Sequence, residues 1–213
     1  MEKRKVYVFD LDGTLVNSMP RYEAGMLSIL DEAGIAYGDD LIKIITPLGY
    51  TKTAEYYINE LGLDDSVASI VSKMENKLVY EYSNNIFLKP GVNEYVRRLH
   101  AEGARLFVLT ASPHIVTDVC LKHNGIYDLF ETVWSVEDFG LSKSGTELFY
   151  EVARRIGCER DEINYFDDSL IALKNAKKSD YITYAVYDRH EPDEIERMKN
   201  EYDIFVGSFE ELK

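Results

Sequence analysis

Six short apolar runs, at residues 6–9, 106–109, 133–134, 163–166, 182–186 and 204–206, constrain the fold of this 213-residue chain more than any other feature. Continuous apolar runs of this length read as strands buried on both faces, and amphipathic helical stretches separate most of them. From about residue 91 onward strand and helix alternate. That is the pattern of an α/β fold, a doubly wound parallel sheet covered by helices on both faces. In such sheets reactive groups gather beyond the carboxyl ends of the strands, so polar residues that follow an apolar run carry the most interest.

Between the first run and Lys89-Pro90-Gly91 the pattern changes. Helical periodicity covers residues 22–33, 54–61 and 67–82, with no strand among them. An inserted helical cap over residues 16–85 follows, with an α/β core formed by residues 1–15 and 86–213. The turn and breaker residues at 16–20 and 84–90 serve as hinges. A chain of this length suits one such core with an elaboration rather than two full domains. Tyr56, Tyr57, Tyr80 and Tyr82 are expected to pack within the cap, since tyrosines at helical spacing fill interfaces more often than they build ligand cages.

The formal net charge is -14, so the average surface repels nucleic acid and anionic lipid, and an anionic substrate requires a local cation. Two cysteines, Cys120 and Cys158, without CxxC spacing, fit a reducing cytoplasm and the role of small core residues. Met1-Glu2-Lys3-Arg4-Lys5 is basic like the start of a signal peptide, but two aspartates follow the next apolar run at once and preclude an apolar h-region. No stretch has membrane-spanning length.

The first run leads directly into Asp10-Leu11-Asp12-Gly13-Thr14. Asp10 stands one residue past the strand, where its carboxylate projects from the sheet edge, and Gly13 permits a tight turn that brings Asp12 into the same small space. Like charges held this close call for a cation between them, and clustered carboxylate oxygens suit Mg²⁺ better than zinc. Capping of the next turn by one aspartate is the competing account.

The string Phe9-Asp10-Leu11-Asp12-Gly13-Thr14-Leu15-Val16 resembles the first signature of the haloacid dehalogenase-like superfamily, whose commonest members are phosphatases with a helical cap after this motif. Its other signatures have counterparts here. Leu109-Thr110-Ala111-Ser112-Pro113 ends the next strand, where the resemblance implies that Thr110, with Ala111 and Ser112, binds the transferring phosphoryl group. Ser112 and Pro113 are also expected as N-cap and first residue of the following helix. Lys143, ahead of a helix over 147–156, corresponds to the family lysine that offsets charge between nucleophile and phosphate, although Ser144 stands where a proline is common. Tyr165-Phe166-Asp167-Asp168-Ser169 resembles the fourth signature in its double-aspartate form, without a third acid because position 172 is Ala.

The resemblance implies a Mg²⁺ site made by Asp10, Asp12, Asp168 and Asp167, with Asp168 a direct ligand. It also implies a cycle in which Asp10 is the nucleophile and Asp12 the acid and base. Dehalogenases of this superfamily lack an acid at the position of Asp12, which argues against dehalogenation. Gly49-Tyr50-Thr51-Lys52 is similar to the specificity loop of the phosphoglycolate phosphatase and β-phosphoglucomutase branch, so Lys52 either contacts a second anionic group or is a solvated lysine at a helix start. The expected partner is a small phosphorylated metabolite, with no nucleic acid or membrane, and the chain is expected as a monomer or homodimer. A sugar phosphomutase uses the same aspartates and stays open, and a phospho-aspartate signalling receiver fits less well, since its acidic pair comes first along the chain.

Overall fold

The computed structural model describes residues 5–45, 48–189 and 192–212. The basic start at residues 1–4 lies outside them. Two compact units divide the chain, one formed by residues 1–17 and 87–213, the other by residues 18–86.

The first unit holds the six expected strands: β1 (Val6–Phe9), β2 (Arg105–Thr110), β3 (Thr132–Ser135), β4 (Ile163–Asp167), β5 (Ile182–Val186) and β6 (Ile204–Val206). All pair in parallel in the order β3-β2-β1-β4-β5-β6. The expected doubly wound sheet is therefore the observed one. Strand order reverses between β1 and β4, which places the crevice of such a sheet beside the ends of those two strands.

The period of two along each strand splits the apolar residues between two cores. Val6 and Val8 of β1 join Phe107, Leu109 and Tyr165 on one face, packed against Leu148, Phe149 and Val152 of helix Glu147–Ile156 and Leu173 and Ala176 of helix Leu170–Lys178. On the opposite face Phe9, Phe166 and Tyr184 are register partners across β1, β4 and β5. Their rings lie 4.7 and 4.0 Å apart and continue to Phe209 and Tyr95. A buried ring of this kind is worth about 3–5 kcal/mol against alanine. This aromatic ladder sits directly behind the end of β1 and fixes where Asp10 emerges.

Gly91, in the breaker segment, has a φ of 81°, and a Cβ there would lie 2.4 Å from the Glu210 backbone nitrogen. The breaker is thus also a close packing point between the helix that begins at Val92 and the C-terminal turn Phe209–Glu211.

The second unit is helical: α1 (Met19–Ala33), α2 (Leu41–Ile45), α3 (Gly49–Asn59) and α4 (Val67–Asn84). α1 and α3 begin earlier than their apolar periodicity suggests, and α2, five residues long, has too little sequence to show a period at all. Met26, Leu30, Tyr57, Ile70, Met74, Leu78 and Tyr82 are buried, and the Tyr57 hydroxyl donates to Met26 O at 3.1 Å. Ser66 caps α4 by accepting from Ser69 N at 3.2 Å. Tyr57 and Tyr82 pack as expected, whereas Tyr80 does not: it is 62% exposed, because its position falls on the outer face of α4. Among the described residues no helix is long and apolar enough to cross a membrane.

Candidate active site

Asp10 directly follows β1, 5% exposed, and its backbone N–H donates to Phe166 O at 2.8 Å, which ties it to β4. Asp167 ends β4 and Asp168 follows it. One carboxylate oxygen from each of Asp10, Asp167 and Asp168 lies within 4.8 Å of the others. The two parallel strands that meet at the reversal of strand order therefore deliver three acids to one point.

Lys143 reaches that point from the loop before helix Glu147–Ile156. Its Nζ donates to Asp10 Oδ1 at 2.5 Å and to Asp167 Oδ2 at 2.8 Å, with the side chain 12% exposed. The loop itself is held by Asn175 Nδ2, which donates to Lys143 O at 3.2 Å, and by the Ser142 and Ser144 hydroxyls, 2.6 Å apart. Ser144 thus meets Ser142 across the lysine that lies between them in sequence.

The charges do not balance. Burial pushes the Asp10 carboxyl up to about 7; Lys143 opposes this, and Asp167 and Asp12 add to it. Burial likewise holds Asp168 well above the carboxylate range, reinforced by Asp167, Asp10 and Asp188 and opposed by Lys89. Burial lowers the Lys143 ammonium, yet Asp10 and Asp167 outweigh it and leave the group raised. Two buried acids, Asp10 and Asp167, and the half-buried Asp168 against one ammonium, the acids all offering oxygen, match the requirement of a hard divalent cation such as Mg²⁺. Asp12 contributes no oxygen to that group.

Asp12 instead faces β2: Ser112 Oγ donates to Asp12 Oδ2 at 2.5 Å, and Ser112 N donates to Thr110 Oγ1 at 3.0 Å. Thr110, the last residue of β2, is 1% exposed. The expectation that Ser112 caps the next helix is not met. That helix runs His114–His123 with Pro113 at the cap position and no side-chain cap bond. A hydroxyl close to a carboxylate makes a stronger, charge-assisted bond than one to an N–H, so Asp12 takes it. Asp167 and Asp168 do not serve as the N-cap pair of the following helix either: Ser169 accepts from Ala172 N, and Asp167 Oδ1 accepts from Ser169 N at 2.7 Å. Both aspartates stay directed to the cluster. Lys52 is exposed in the first turn of α3.

Three further residues at this site went unread in the sequence. The Tyr165 hydroxyl donates to Asp167 Oδ2, Thr14 Oγ1 makes a long bond of 3.4 Å to Asp168 Oδ1, and Lys89 Nζ donates to Gly13 O. Tyr165 did carry a signal, since a strand residue with a buried hydroxyl needs a partner. Gly13, read as the turn residue, has a φ of 77°, and a Cβ there would lie 2.4 Å from Asp168 Oδ2. The glycine is thus required twice, for the left-handed turn and for the approach of Asp168.

His114, next to the Thr110–Pro113 segment, links its helix to the turn Val136–Phe139 through Asp138 Oδ2 at 2.9 Å, with Asp118 Oδ1 at 3.4 Å. Burial lowers its imidazole, but Asp138 and Asp118 outweigh this and raise it above 6.5. A raised histidine contributes stability that is complete below its unfolded value and fades as pH rises through its folded value. Wild type is therefore expected to lose stability relative to His114→Gln between about pH 6 and 8, a small effect for a partly exposed group. Urea midpoints at the two pH values check it, and a constant difference would disprove it.

The sequence model of the haloacid dehalogenase-like hydrolases matches residues 7–186. A phosphoglycolate phosphatase of Rhodobacter capsulatus is 27% identical over 176 residues, which cover 81% of this chain and 79% of that protein. A glyceraldehyde 3-phosphate phosphatase of Methanocaldococcus jannaschii is 27% identical with 98% and 95% covered. The crystal structure of CbbY from Rhodobacter sphaeroides in complex with phosphate superposes with a TM-score of 0.81 over 99% of this chain and 96% of that one, at 17% identity, a likeness of fold.

Proposed function

The chain belongs to the haloacid dehalogenase-like hydrolases, and from that premise we propose that it is a Mg²⁺-dependent phosphatase of small phosphorylated metabolites. One observation carries the reading: Asp10, nearly buried at the end of β1, is paired with Lys143 and shares its oxygens' neighbourhood with Asp167 and Asp168.

Phosphoryl transfer needs a nucleophile in line and positive charge around the equatorial oxygens. In the proposed cycle an Asp10 oxygen attacks phosphorus while the ester oxygen leaves with a proton from Asp12, giving an aspartyl-phosphate. Asp12 then takes a proton from water as that water attacks the same phosphorus, which releases phosphate and regenerates both acids. Ser112 orients Asp12 for the two proton transfers, Thr110 holds a phosphoryl oxygen, and Lys143 offsets negative charge on nucleophile and phosphoryl group. Asp10, Asp167 and Asp168 would hold the divalent cation, which when bound supplies further positive charge to the transferring group. Residues 18–86 act as the cap, and Lys52 is its candidate for a second anionic group. Two cysteines without a disulfide suit a cytoplasmic setting.

The named relatives favour two- and three-carbon phosphate esters as first substrates. Incubation with phosphoglycolate, glyceraldehyde 3-phosphate and β-glucose 1-phosphate is expected to release phosphate with Mg²⁺ and to stop with EDTA. Isomerisation of β-glucose 1-phosphate without free phosphate would replace the phosphatase by a mutase. A stable phospho-Asp10 without turnover would replace it by a receiver.

A further inference from the structure

Lys89 stands outside the acidic cluster, on the segment that returns to the sheet unit. Leu88 pairs antiparallel with Val16, and Lys89 N donates to Leu15 O at 2.9 Å. Its ammonium, on a side chain 13% exposed, meets three acceptors: Gly13 O, Tyr187 O at 2.8 Å and Asp188 Oδ1 at 2.9 Å. Three N–H groups facing three oxygens leave no donor for a substrate. The acceptors come from two separate places, the acidic turn after β1 and the segment after β5. The latter is anchored in its turn, because Tyr187 N donates to Val206 O at 2.8 Å.

What Lys89 grips matters for the cluster. Gly13 packs directly on the Asp168 carboxylate, and the neighbouring Thr14 hydroxyl reaches Asp168 Oδ1. A shift of the Gly13 peptide therefore moves the surface against which Asp168 rests, and with it the separation of Asp168 from Asp10. We propose that Lys89 is a positioning residue: by clamping Gly13 O to Tyr187 and Asp188 it holds the acidic turn in the shape that keeps the Asp10, Asp167 and Asp168 oxygens spaced for a divalent cation. The cation site is part of the phosphatase reading, on which this inference rests; the clamp on the turn is a property of the folded chain alone.

Two opposed effects make the proposal testable. Loss of a nearby positive charge would tighten cation binding by simple electrostatics, whereas loss of a positioning contact weakens it by roughly tenfold or more. Lys89→Met is expected to raise the Kd for Mg²⁺, read by titration calorimetry without substrate, about tenfold. In the metal-free protein it is also expected to speed amide hydrogen exchange at Gly13, Thr14, Leu15 and Val16, while the amides of β1 and β4 keep their protection. Asp188→Asn, which keeps an oxygen acceptor but removes its charge, is expected to speed exchange in the same turn by less. Because loss of its charge alone would also weaken Mg²⁺ binding, the exchange readout carries the test if Lys89→Met does not fold. Unchanged exchange in the turn, or Mg²⁺ binding as tight as wild type or tighter, overturns the clamp. Phosphate release by the wild type is scored apart: a chain inert toward every ester refutes the phosphatase reading while the exchange result still decides on Lys89.

Discussion

Asp10→Asn is expected to lower phosphate release at least ~10⁴-fold, since removal of a covalent nucleophile costs up to about 10⁶ in turnover. The variant keeps the shape of the side chain and its backbone bond to Phe166 O. It also removes one of the like charges that crowd the buried cluster, so the metal-free protein should melt no lower than wild type. Activity and thermal midpoint are to be measured on the same preparation. A folded Asp10→Asn protein with wild-type turnover would sink the nucleophile assignment, and a phosphorylated residue found elsewhere by mass spectrometry would relocate it.

The second large effect concerns Lys143, whose ammonium bridges Asp10 and Asp167 in a place where the Asp167 side chain is 1% exposed. Breaking a buried pair from one side leaves charge without compensation and costs about 3–5 kcal/mol. Lys143→Met should therefore be strongly destabilised at pH 7.5, besides losing activity. Its pH dependence is diagnostic. Without the ammonium, burial raises the Asp10 carboxyl further, so the folded state holds a proton that the unfolded state has released, and stability falls as pH rises through that range. The deficit relative to wild type should accordingly shrink from pH 7.5 toward pH 5, and Mg²⁺ should restore part of it at the higher pH. Denaturant titrations at both pH values provide the measurement. A loss of stability independent of pH would mean that Lys143 acts through packing rather than charge.

Much of this site was legible along the chain because its chemistry is local. Asp10, Thr110 and Asp167 each sit at or just past the end of an apolar run, and a parallel sheet places all strand ends on one edge. β5 and β6 were readable to the residue as short apolar runs, although β6 is the edge strand and only Val206 in it is buried. Ser112 shows where local reasoning failed: its propensity to cap a helix was real, but Asp12, 100 residues away in sequence, is the stronger partner. α2 escaped because one turn of helix leaves no period to detect.

By itself, then, the sequence determined the class of fold, the order of the strands along the chain, the acids at the strand ends and the family to which they belong, because burial periodicity and motif spacing are written in neighbouring residues. Tertiary structure alone decided which oxygens meet, that Asp12 turns to Ser112 while Asp167 receives Tyr165 and Lys143, and that Lys89 closes its ammonium on Gly13, Tyr187 and Asp188. The reason is physical. Most of these bonds join groups separated by 24 to 133 residues, as in Lys143 with Asp167 and with Asp10, and the groups come within reach of one another only once the sheet has formed.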